Sequence, residues 1–119
     1  MTAEQLNSIL DSLCCLSAEN EIVEFKEAKN NYDFSKLGKY FSALSNEANL
    51  KGISCAWLVF GVEDKKHQIV GSQFRASRKD LDSLKGEIAK KSTNNISFIE
   101  IHEIIKSEGR VILFQIPAA

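Results

Sequence analysis

Apolar positions along the chain fall into two periods. Leu6, Ile9, Leu10 and Leu13 recur at three- and four-residue steps and predict a helix over 3–16. Thr2 with Gln5 three residues later fits a capping box at its start. Leu37, Tyr40, Phe41, Leu44 and Ala48 predict a second helix over 34–49, capped by Asp33. Leu81, Leu84 and Ile88 predict a third, from a Ser77 cap to about Lys91. Between the helices the period changes to two. Residues 21–26 alternate and suit a short strand. Residues 53–62 are apolar at nearly every position, which predicts a strand covered on both faces and therefore central in its sheet. A polar turn over 63–67 leads to a short returning strand over 68–70. Residues 96–104 and 110–116 then form a hairpin around Lys106–Gly109.

The order is α-β-α-β-β-α-β-β, an α+β fold with helices packed against one mixed sheet. A length of 119 residues fits a single domain, 1–119. A hydrophobic fraction of 44% and a charged fraction of 26% are ordinary for a soluble globular domain. No apolar run approaches the roughly 18 residues of a membrane span. The first residues carry Glu4 and Asp11 and no basic start, unlike a signal peptide. Cys14, Cys15 and Cys55 form no C-x-x-C pair and read as small buried hydrophobes in a reducing compartment, so the expected location is cytoplasmic. The chain stops at Pro117-Ala-Ala directly after a strand, which suggests an N-terminal piece of a longer protein. These residues contain no G-x-x-x-x-G-K-[ST] and no G-x-S-x-G, so neither a P-loop motor nor that hydrolase elbow resides in them.

The net charge of -1 conceals an uneven distribution. Residues 1–33 carry seven acids against two bases, and residues 34–95 carry eleven bases against six acids. A basic middle is compatible with a nucleic-acid partner, although a pI near 6.1 argues against strong sequence-independent binding by these residues alone. Arg75, Arg78 and Lys79 gather at the start of the third helix, and Lys85, Lys90 and Lys91 flank its apolar stripe. Lys65 and Lys66 could extend that patch, and Phe74 could offer a stacking face. The same residues also fit a solvated helix face. His67 and His102 lack ligand-spaced partners and read as ordinary surface or strand histidines; Trp57 reads as core.

Three motifs occur in order: Glu19-Asn-Glu-Ile-Val-Glu24-Phe-Lys26, Ser42-Ala-Leu-Ser-Asn46 and Phe60-Gly61-Val62-Glu63-Asp64. In this order and spacing they resemble Schlafen/AlbA-type domains over about residues 17–116, with Ala43–Gly61 similar to the RecG-like, helicase-related or transcriptional-regulator subgroup found in bacteria. Unlike most members, this chain follows Asn46 with a longer loop holding one glycine, Gly52. The resemblance implies nucleic-acid binding. In some eukaryotic relatives it implies metal-dependent RNA cleavage by three carboxylates, which would be Glu19, Glu24 and Glu63 or Asp64, with Mg²⁺ or Mn²⁺ as the hard cation. Residues five apart on a regular strand point to opposite faces, so Glu19 and Glu24 share a site only if the chain turns between them.

The leading expectation is therefore a non-catalytic nucleic-acid-binding module, DNA before RNA, without a cofactor. Lys65, Lys66, Arg75, Arg78 and Lys79 would contact phosphates, and Lys26 and Asn46 are secondary candidates carried over from the matching motifs. A carboxylate nuclease is the alternative, and a protein-interaction or regulatory domain the third reading. Further domains of the same parent chain and a second copy of the chain are the other partners considered; a membrane is not.

Overall fold

A computed structural model describes residues 2–14, 22–91 and 96–119. Helix α1 spans Ala3–Cys14, strand β1 Val23–Lys26, helix α2 Phe34–Leu50 and strand β2 Cys55–Phe60. Helix α3 follows over Arg78–Lys91, then strands β3, Glu100–Lys106, and β4, Gly109–Pro117. The strands form one four-stranded sheet in the order β1-β2-β4-β3. β1 and β2 are parallel, whereas β4 is antiparallel to both β2 and β3. The α+β class, the mixed sheet and the central position of the apolar run thus agree with the pattern of the sequence.

Each helix begins where its cap residue lies. The Thr2 hydroxyl accepts from the Gln5 amide at 3.1 Å, while the Gln5 side chain accepts from the Thr2 amide at 2.8 Å. Asp33 accepts from the Lys36 amide and Ser77 from the Asp80 amide, each at 3.1 Å.

The sheet divides the core into two layers. On one face, Leu37, Phe41 and Leu44 of α2 and Leu81, Leu84 and Ile88 of α3 meet Leu58, Phe60, Ile112 and Phe114 of the sheet. On the other face Leu10 of α1 joins Val23, Phe25, Val59, Val111 and Leu113, with Leu6, Ile9 and Leu13 packed alongside. β2 contributes to both layers, which is why both its parities are apolar. Trp57 is half-buried beside the α1 layer, and Cys14 and Cys55 are half-buried; Cys15 lies outside the described residues. His67 fastens the end of α1. Its Nδ1 donates to the Cys14 carbonyl oxygen at 2.9 Å, and its ring stacks on Phe25 at 4.2 Å. Nε2 is buried without a partner among the described residues.

The returning strand expected over 68–70 is a single antiparallel bridge, Val62 to Ile69. The ladder stops there because the amides of Val70 and Gly71 both bond the Gly61 carbonyl oxygen, and Gly71 then turns the chain at φ 83° across the hairpin. The crossing is close: a Cβ on Gly109 would lie 2.6 Å from the Gly71 Cα. Gly61 is equally confined, with φ 94° and the Arg110 carbonyl oxygen 2.5 Å from where a Cβ would stand.

Gly61→Ala therefore meets both a positive φ and a backbone clash. Strain of about 1–2 kcal/mol and overpacking of about 1–3 kcal/mol combine to an expected loss of roughly 3 kcal/mol. Urea unfolding should show the midpoint falling at an unchanged m-value.

Candidate nucleic-acid interface

The most buried cation among the described residues is Arg110, at the start of β4 and only 8% exposed. Its Nε donates to Glu103 on β3, Nη1 to the carbonyl oxygen of Phe74 at 2.6 Å, and Nη2 to that of Arg75 at 3.0 Å. One guanidinium thereby ties the 72–75 loop to the β3–β4 hairpin. Ser72 completes the attachment: its hydroxyl donates to Ala28 O at 2.6 Å and its amide to Arg110 O at 2.9 Å.

This loop delivers Arg75, at φ 44°, to α3. Both terminal nitrogens of Arg75 donate to Glu87, and Nη1 also donates to the Asp80 carbonyl oxygen. The hydrogen bond to Glu87 is the main cause that raises the Arg75 pKa and lowers that of Glu87. Arg78 pairs with Asp82 at 2.8 Å, approaches Glu103 at 3.8 Å and donates to the Ile101 carbonyl oxygen at 2.7 Å. Lys85 pairs with Glu100 at 3.0 Å and lowers its pKa through that hydrogen bond. The two arginines expected to face phosphate thus have internal partners that dock α3 on the loop and on β3. Lys79, which follows Arg78 on α3, is exposed and makes no ion pair with a described residue.

Lys65 and Lys66 are exposed at the tip of the turn after β2. The Glu63 carboxylate accepts from both their backbone amides, at 2.6 and 2.9 Å, and these bonds lower its pKa. Glu63 therefore shapes the turn that presents both ammonium groups. Asp64 is exposed beside it.

The remaining motif residues occupy separate places. Glu24 and Lys26, both half-buried, pair at 3.4 Å along β1, and the Lys26 ammonium lies 4.7 Å from the Tyr40 ring centre. Partial burial opposes the Lys26 charge, but Tyr40 and Glu24 outweigh it and raise its pKa. Asn46 is exposed on α2. Glu19 lies outside the described residues. Of the other carboxylates in the nuclease set, Glu24 pairs with Lys26, Glu63 accepts from two backbone amides and Asp64 is exposed.

A groove between α2 and α3, with a volume of about 660 Å³, was not anticipated from the pattern. Phe34, Gly38 and Lys39 line it from α2, and Ile88 and Lys91 from α3. A glycine inside a helical pattern is the signal that could have marked it. A Cβ on Gly38 would meet nothing within 4 Å.

Removing Arg110 takes from Glu103 its nearer cation, leaving Arg78 at 3.8 Å, and takes the donor from three loop carbonyl oxygens at once. Arg110→Met should lower stability by about 3 kcal/mol, because buried carbonyl oxygens lose their donors and a half-buried carboxylate loses its main partner. Arg75→Met carries a pH signature. The lowered folded-state pKa of Glu87 means that its pairing stabilises fully above the ordinary value of 4.5 and fades as pH falls below it. Urea midpoints of wild type and Arg75→Met should therefore lie further apart at neutral pH than at pH ~3.

Residues 19–119 match the family described as Schlafen, AlbA_2. No curated protein matches the sequence. Among solved structures, the N-terminal domain of a RecG-related protein from Nitrosomonas europaea aligns with a TM-score of 0.63 at 21% identity, over 100% of this chain and 74% of that one. The DIP2311 protein of Corynebacterium diphtheriae aligns with a TM-score of 0.54 at 20% identity, over 98% of this chain but only 22% of that one. At these identities the two structures establish a shared fold, while the sequence match over 19–119 establishes descent: the chain belongs to the Schlafen AlbA_2 family.

Proposed function

We propose that this chain is a nucleic-acid-binding module, with DNA as its partner, working in the cytoplasm of a bacterium as part of a regulator or helicase-related protein. Family membership over residues 19–119 carries the reading. The Nitrosomonas europaea neighbour belongs to a protein whose name relates it to the DNA helicase RecG, and in the Corynebacterium diphtheriae protein the same fold is 22% of a longer chain.

The geometry divides the labour among the basic residues. Lys65 and Lys66 project from a turn that Glu63 shapes, and Lys79 projects from the first turn of α3. These three ammonium groups are exposed and meet phosphates as point charges, releasing condensed counterions. Arg75 and Arg78 act behind them by fixing the loop and helix from which Lys79 projects. Lys26 and Asn46 lie outside this set, the former in its pair with Glu24.

Fluorescence anisotropy with a 20-base-pair duplex across a salt series tests the reading. Replacing Lys65, Lys66 and Lys79 by alanine should flatten the slope of log K against log salt by up to about 0.9 for each phosphate no longer neutralised, with thermal stability unchanged. Absence of duplex or single-strand binding by the wild-type chain at low salt would overturn the assignment, and unchanged binding by the triple variant would remove these lysines from the interface. Adding Mg²⁺ or Mn²⁺ addresses the nuclease alternative: cleavage abolished by both Glu19→Gln and Glu24→Gln would replace the binding-module reading.

A further inference from the structure

We propose that the groove between α2 and α3 is a nucleotide-sized subsite that takes an unpaired base with its flanking phosphates, so that the module prefers single-stranded over duplex nucleic acid. The inference rests on the nucleic-acid reading and adds to it the strand form and the place where it binds.

The groove combines the two chemistries that a nucleotide presents. Its floor is apolar: Phe41 and Ile88 are almost fully buried, and Phe34 leaves part of its ring accessible. Its rim is cationic and hydroxylic, with Lys39, Lys91, Ser35 and Ser42 all exposed. Ser42 opens the second sequence motif and has no role in the core. Arg75, Arg78, Lys85 and Arg110, which surround α3, all pair with carboxylates. Lys39 and Lys91 make no such pair among the described residues, so both charges remain available to an anion. Glu87, one turn before Lys91, is already neutralised by Arg75.

Size and access point the same way. A volume of about 660 Å³ falls within the range of small-ligand sites, roughly 300–1,000 Å³. Position 38 faces this space, and a Cβ there would meet nothing within 4 Å. A base stacked inside a duplex presents only its edge and cannot reach the floor. An unpaired base can place its face on Phe34 while its phosphates meet the two lysines, which is the stacking-plus-cation mode of single-strand recognition.

The test uses the chain with fluorescein-labelled oligothymidylate of about 15 nucleotides, an abasic oligomer of equal charge, and a duplex. Gly38→Leu fills the groove without changing charge, and leucine is a better helix former than glycine, so its thermal midpoint should equal or exceed that of wild type. It should weaken oligothymidylate binding about tenfold and leave the abasic oligomer and the duplex unaffected. Lys39→Ala with Lys91→Ala, an arm independent of helix packing, should flatten the single-strand salt slope by about 1.4. Folded Gly38→Leu binding oligothymidylate like wild type, or wild type preferring the duplex, would overturn the subsite while leaving nucleic-acid binding intact. Wild type binding none of the three probes would overturn both.

Discussion

The guanidinium of Arg110 joins parts of the chain that have no other reason to meet. It lies at the sheet end of a loop that must cross a hairpin, and its donors take up loop carbonyl oxygens that would otherwise be buried and unpaired. Glu103 across the ladder balances its charge. A hydrophobic residue at this position could fill the volume but could not bond three carbonyl oxygens of one loop. The placement of Arg75 depends on this clasp, and through Arg75 and Glu87 so does the seating of α3.

That dependence explains why the basic residues divide by type. Arginine offers several donors in a rigid fork and is weakly hydrated, so it suits half-buried junctions between elements. Here Arg75, Arg78 and Arg110 each bond a carboxylate and at least one backbone carbonyl oxygen. Lysine carries a compact, strongly hydrated charge that remains in water at little cost. Lys39, Lys65, Lys66, Lys79 and Lys91 all remain exposed. The arginines organise the scaffold, and these lysines keep their charge in solvent.

The groove follows from the same packing. α2 and α3 lie on one face of the sheet, each held by its own apolar stripe. Gly38 lines the space between their outer surfaces, where a Cβ would meet nothing within 4 Å. On the opposite face α1 packs over the second apolar layer and is fastened by His67. The α1 face is therefore partly closed by the chain itself, whereas the α2–α3 face retains a concave surface rimmed by exposed lysines.

The sequence by itself determined the elements and their class. Helix stripes such as Leu81, Leu84 and Ile88, caps such as Asp33 and Ser77, and the unbroken apolar run of β2 are local signals, readable because side-chain periodicity and capping act over a few residues. The motifs around Glu24, Asn46 and Gly61 likewise identified the family. Charge partners were not legible in this way. Arg75 meets Glu87 twelve positions away, and Arg110 meets carbonyl oxygens some thirty-five positions away. Only the folded chain decides such pairings, because a Coulomb or hydrogen-bond partner is chosen by distance in space and not by distance along the backbone. The tertiary structure thus gave Arg75 and Arg78 internal partners, reduced one short strand to a single bridge at the Gly71–Gly109 crossing, and formed a groove beside a helical glycine.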